Sequence, residues 1–468
     1  MANTLDPKTA WEPYAPSAEN PWDLRRVGHV YRRAAFGASW SDLDAGLKLG
    51  PQKMIDRLLK GGQPSPAYDA DTEKFLSNAS RKFNAGPQAS AWWLYRMLHG
   101  GHPLREKLTL FWHNHFATSN AKVQNIGYMV GQYELMHRHA LGNFADLLQA
   151  MSKDPAMMIW LDTVQSKKGQ PNENYARELM ELFSLGIGNY TEMDIREAAR
   201  AFTGWEIQNG QFRNNTTQFD ATEKKVLGKT GNWKGEDVVR ICLEHPSCPR
   251  FIVRKLYRFL VNEAESPAND LIEPLARQFA SGYDFGKLVE TVLRSNLFFS
   301  AHAYRARIKS PVDFVLGMAR ALEAKLGTQN SAVNLTAALE NLGQNVFHPP
   351  SVKGWDGGQT WLNGQTLLFR QNLALDLARR PAGYDLPATA FVLTDAHNKK
   401  TDEERAAFFI DLFLQGDVPE DTRKRIFDYA NSSGSQKVPV YWTKNDAAEH
   451  RVVSLCHLIM TLPEYQVD

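Results

Sequence analysis

Two runs of this chain concentrate side chains able to move protons or hold an ion: Phe111-Trp-His-Asn-His-Phe116 and Glu173-Asn-Tyr-Ala-Arg-Glu-Leu-Met-Glu-Leu-Phe183. An imidazole and a carboxylate within hydrogen-bond reach exchange protons near neutral pH, so His113 or His115 with Glu178 or Glu181 is the acid–base pairing they offer. At about 100° per residue, Asn174, Arg177, Glu178 and Glu181 form one polar stripe beside an apolar flank of Tyr175, Leu179, Leu182 and Phe183. With Ala176 and Met180 buried on the other side, that stripe would lie between packed surfaces, where charges need partners.

The same residues admit other readings. His113 and His115 could hold a divalent metal only if the helix ends there, because residues two apart on a continuous helix point about 200° from each other. Ala117-Thr-Ser-Asn120 suggests such an end. Otherwise one imidazole caps or packs and the other meets a polar neighbour. For the glutamates, the alternative is a buried ion-pair network in which Arg177 and Arg200 neutralise them and fix helix packing. If the site is catalytic, Arg105, Arg177, Arg200 and Lys353 would orient an anionic or sugar-like substrate. Asn114 and Asn174 would hydrogen-bond it, and Trp355 and Trp361 would wall it. Arg250, Arg254 and Arg258, at i, i+4 and i+8, read as a helix face rather than an anion site. The phosphate loop, the dinucleotide glycine fingerprint, the Gly-x-Ser-x-Gly elbow and His-Glu-x-x-His are all missing, which disfavours the common nucleotide, hydrolase and zinc-protease classes.

The elements that must position these groups are mostly helices. Residues 1–21 read as an extended arm. A main helical domain spans 22–387, with a small β-hairpin insertion at 205–235 and an ordered Trp/Gly/Pro loop at 345–363. A helical segment at 388–468 packs on it. Asn209-Gly210 is the hairpin signal. Helices are expected over 71–83, 90–98 and 103–116, at the carboxylate-rich run, and from Thr191, where a capping box opens the next. The expected class is therefore all-α, a multi-helix globular fold. Three further helices are expected near the carboxy terminus, over 402–415, 419–430 and 445–462.

Composition bounds the partners. Lys plus Arg is 54 and Asp plus Glu is 52, and a net charge of +2 over 468 residues exerts no global pull toward nucleic acid or anionic membrane. Cys242, Cys248 and Cys456 have neither a zinc spacing nor an even count, and read as buried free thiols. The amino terminus lacks the pattern of a secretory signal and no apolar run reaches membrane-spanning length, so the expectation is a cytoplasmic protein, or an extracytoplasmic one if a leader was removed.

Arg32-Arg-Ala-Ala-Phe-Gly37, Arg105 to Phe116, Glu173 to Phe183, Tyr190-Thr-Glu-Met-Asp194 and Ala201-Phe-Thr-Gly-Trp205 follow one another in that order. With His245-Pro, Lys309-Ser-Pro311, Gly343-Gln344, Pro349 to Trp355 and Leu462-Pro-Glu-Tyr-Gln466, they make the chain resemble, over nearly its whole length, the large bacterial group catalogued as domain of unknown function 1800. The resemblance implies a helical protein often encoded beside a sulfatase-like protein of the alkaline phosphatase superfamily, and often exported. It carries over no catalytic residues. Two functions follow as expectations: an enzyme with a His/Glu acid–base site, metal-assisted or not, or a non-catalytic scaffold or maturation partner for the neighbouring protein.

Overall fold

The computed structural model describes residues 6–64, 68–70, 72–73, 86–324, 329–379, 389–432 and 444–468. The helix expected over 71–83 falls almost entirely outside the described residues. Elsewhere helices dominate, for local reasons. Ser39 and Thr191 open Trp40–Leu49 and Glu192–Ala201 with capping boxes, each satisfying two backbone N–H groups that no helical carbonyl can reach. Pro51, Pro103 and Pro311 occupy first-turn positions, where a missing N–H costs nothing.

One apolar cluster runs from Ala10 to Tyr465. At its centre is the helix Pro103–His115, in which every position from Glu106 to His113 is buried. A helix enclosed all round belongs in the interior, and this one packs on Leu24–Ala34, Pro51–Lys60, Gly86–His99 and Ile126–His139. Its two buried charged residues, Glu106 and Lys107, therefore need partners. The Glu106 carboxylate accepts from Trp93 Nε1 at 3.1 Å, Tyr133 Oη at 2.8 Å and Arg96 Nε at 3.3 Å. Lys107 Nζ donates to the Asp313 carboxylate and to the Arg32 carbonyl.

The β-excursion is two hairpins rather than the single one expected. Trp205–Gln208 pairs antiparallel with Gln211–Asn214 across Asn209-Gly210, both with positive φ, as a tight primed turn requires. Lys224–Val226 pairs with Lys229–Gly231 across Leu227-Gly228, a turn without the Asn-Gly signature. The described part of the amino-terminal arm is pinned down: Trp11 Nε1 donates to the Leu271 carbonyl at 2.6 Å, and Pro13 bridges Ser295. Near the carboxy terminus a further helix, Ala390–Ala396, precedes Asp402–Leu414, Glu420–Asn431 and Lys444–Met460, where three were expected. All three cysteines are buried free thiols. Among the described residues, no helix is long and apolar enough to cross a membrane.

Candidate functional site

The carboxylate-bearing helix is not uniform. Asn174–Glu178 is α-helical, and Leu179–Ser184 continues as a π turn, with Leu185 N–H reaching back five residues to the Met180 carbonyl at 2.9 Å. Gly186, at φ +82°, closes the element by donating to the same carbonyl at 3.1 Å. The extra residue in this turn ends the simple 100° periodicity, and it leaves carbonyls at the helix end to be satisfied by side chains. Lys255 Nζ takes the Leu182 carbonyl at 3.2 Å, and His115 Nε2 donates to the Phe183 carbonyl at 3.1 Å. A cation there also suits the negative end of the helix dipole.

This contact brings the two polar runs together, as anticipated, but not as an acid–base pair. His115 is buried among Phe111, Trp112, Phe116 and Phe183, and burial, helped by Lys255, drives its basicity well below the ordinary range. His113 is sealed beneath Trp93, Phe347 and Trp355. Its Nε2 accepts the Phe347 N–H at 3.1 Å, and burial lowers its pKa to about 3. Both imidazoles are thus neutral supports for backbone, one at a helix end and one at a loop. Among the described residues, no hydrogen bond or ion pair joins either to Glu178 or Glu181. Nor does any group of three or more His, Cys, Asp or Glu gather, among the described residues, where a metal ion could be held.

Glu178 and Glu181 lie one turn apart and half-buried, so the polar stripe opens toward solvent instead of being sandwiched. Burial, reinforced by Glu181 beside it and opposed by Arg177, pushes the Glu178 carboxyl up to about 7. Glu181 Oε2 accepts the Tyr190 hydroxyl at 2.6 Å. Burial and that hydrogen bond hold the Tyr190 proton on more firmly than usual. In the sequence Tyr190 stands out only as part of the Tyr190-Thr-Glu-Met-Asp194 motif. Its signal was position, since the Gly186 and Gly188 turns fold the chain straight back over the end of the helix.

The remaining candidates scatter. Arg177 forks onto Glu192 at 2.8 and 2.9 Å and reaches Glu173 at 3.3 Å. Arg200 holds Asp220 and Glu197, each at about 2.9 Å. These arginines form ion-pair networks, and of the three glutamates expected in them, Glu173, Glu178 and Glu181, only Glu173 takes part in a direct ion pair among the described residues. Asn174 is exposed and donates to Asp162 at 3.2 Å. Arg105 is half-buried, with its Nε lacking a hydrogen-bond partner among the described residues. Arg250 pairs with Glu273 at 2.8 Å on the neighbouring helix, which makes part of that stripe a packing surface.

Asn114 serves the 345–363 loop. Its Oδ1 accepts the Trp355 N–H at 2.7 Å, and its Nδ2 donates to the Trp355 carbonyl at 3.4 Å. The fit requires Gly354, at φ +80°, where a Cβ would come within 2.2 Å of Asn114 Oδ1. Trp355 packs against His113 with the rings tilted by 60°, and Trp361 is buried, while Lys353 is exposed. No described contact brings these three to the glutamates.

The chain belongs to the family described as protein of unknown function (DUF1800), whose model matches residues 29–467. No curated protein and no solved structure matches it.

Proposed function

We propose that this chain is an enzyme whose acid–base groups are Glu178 and Glu181, with Tyr190 holding the second carboxyl in place, and whose substrate is anionic or sugar-like. The observation that carries this reading is the Glu178 carboxyl, pushed up to about 7 in a half-open position beside a second carboxyl. A group of that acidity exists in both protonation states at neutral pH, so it can deliver a proton to a leaving oxygen and take one back. Two carboxyls in unlike surroundings are a common way to divide acid and base roles. Glu178, which touches no cation in a direct ion pair among the described residues, takes the acid role. Glu181, oriented by the Tyr190 hydroxyl, takes the base or stabilising role. His113 and His115 then act at one remove, by holding the helix end and the adjoining loop.

The test begins without a substrate. In a carbon-detected titration of the glutamate side chains, one carboxyl should titrate between about pH 6 and 8 and be missing in Glu178→Gln. A spectrum in which every glutamate titrates below about pH 5.5 removes the reading. A panel of neutral and uronic aryl glycosides comes next. Turnover should fall as the pH rises through the Glu178 titration, and Glu178→Gln should lose about 10²–10⁴-fold with its fold intact.

A further inference from the structure

A second polar assembly lies where the helix Leu24–Ala34 meets Pro311–Ala321 and Asp402–Leu414. Arg32, Arg33, Lys107, Arg307, Lys309 and Arg370 are all buried. Three carboxylates, Glu263, Asp313 and Asp468, stand among them. Residues 466–468 are laced to this cluster: Lys309 N–H donates to the Gln466 carbonyl and Asp468 N–H to the Arg307 carbonyl, both at 2.8 Å. Basic side chains outnumber carboxylates in this dry place, where any charge they carry needs a partner.

Four of these basic side chains each reach an acceptor. Lys107 holds Asp313, Arg307 donates to the Phe259 carbonyl at 2.6 Å, Arg33 to the Ala303 carbonyl at 2.6 Å, and Arg370 to the Lys309 carbonyl at 2.8 Å. The other two differ. Arg32 reaches Gln415 with one nitrogen, while its Nε and Nη2 are buried without a partner. Lys309 Nζ rests 3.4 Å from the centre of the Tyr465 ring, with no oxygen acceptor among the described residues. Asp468 Oδ2 is also buried and unpartnered. All three side chains line one cavity, open to solvent at its mouth, with about 30 Å³ of free interior volume. Small residues make the room. A Cβ on Gly28 would lie 2.4 Å from Gln415 Cδ, and one on Gly37 would lie 2.9 Å from Gly317 Cα.

We propose that this cavity binds a protonatable oxyanion, inorganic phosphate or a phosphate monoester, between Arg32 and Lys309, with Asp468 accepting a hydrogen bond from its P–OH. Arg32 and Lys309 supply the charge-assisted donors that such an oxyanion needs. The free carboxylate oxygen supplies discrimination. Sulfate and its esters carry no proton at neutral pH, so they would set lone pair against lone pair at Asp468. The other oxygens of Asp313 are taken by Lys107 and Ser310, which leaves Asp468 as the carboxylate that reads the ligand. The strongly lowered pKa of Lys309, caused first by burial, fits an amine whose counterion arrives with the ligand. The site shares no residue with the Glu178 reading.

The experiment is calorimetric and ³¹P NMR titration of the full chain with inorganic phosphate, glycerol phosphate and sulfate. Phosphate or its ester should bind, and sulfate should bind about a hundredfold more weakly or not at all. Asp468→Asn should bring sulfate to within about tenfold of phosphate, and Lys309→Met should weaken phosphate by about tenfold or more. Tighter binding of glycerol phosphate identifies the ligand as a phosphorylated metabolite. Tighter binding of phosphate identifies it as the free ion. Binding of neither anion class, or equal binding of phosphate and sulfate by the unmodified chain, overturns the proposal even if both variants fail to fold. So does unchanged discrimination in a folded Asp468→Asn chain.

Discussion

Replacing Glu178 by Gln keeps the size of the side chain and removes one titration, so its effect on stability can be worked out from the site. In the folded chain this carboxyl rises from 4.5 to about 7, chiefly through burial. A folded value above the unfolded one means that the native state holds the proton more tightly. The associated stabilisation is complete below the unfolded value and is lost as pH rises through about 7. Its ceiling is about 3.4 kcal/mol, and because Glu178 is only half-buried, solvent screening reduces it to about 1–2 kcal/mol. Urea unfolding of both chains at about pH 5 and about pH 8 reads this directly. The unmodified chain should lose about 1–2 kcal/mol more stability over that interval than the E178Q chain. A difference under about 0.3 kcal/mol, or one of opposite sign, would show that Glu178 titrates like an ordinary surface glutamate. Glu181→Gln should shrink the same pH dependence, since the Glu181 charge is part of what raises Glu178.

Other substitutions probe the framework. Asp313→Asn strands the fully buried Lys107 and should cost about 3–5 kcal/mol by urea unfolding, whereas the apolar pair Lys107→Met with Asp313→Leu should recover most of the loss. Finding the double variant no better than the single one would contradict the pairing. Imidazole ¹⁵N shifts of His113 and His115 should stay those of neutral rings from about pH 5 to 8, because burial lowers both, His113 to about 3. A titration of either ring in that range would put the histidines back in contention for the chemistry. Gly354→Ala should destabilise by about 1–3 kcal/mol and alter Trp355 fluorescence, since the new methyl meets Asn114 and the backbone is left-handed there. Calorimetric melting and emission spectra would check both effects.

What the chain specifies locally was readable from it. Capping boxes at Ser39 and Thr191, prolines at first turns and the Asn209-Gly210 hairpin act over three or four residues, so spacing alone predicts them. The long ordered motifs were enough to name the family. The neighbourhood of the carboxylate helix and the helix ending at His115 was legible too, because each has an apolar flank that must be covered. The rest depended on packing across the chain. The π turn at Leu179–Ser184 arises where helix-end carbonyls meet His115 and Lys255, partners some seventy residues away. Whether an imidazole is a base or a neutral prop is set by the rings around it, and periodicity carries no information about those rings. Arg32, Lys309 and Asp468 look unremarkable in a list of residues. Only when residues 466–468 pair with residues 307–309 are these side chains taken out of water and given a cavity to face, and it is that desolvation which turns ordinary side chains into a site.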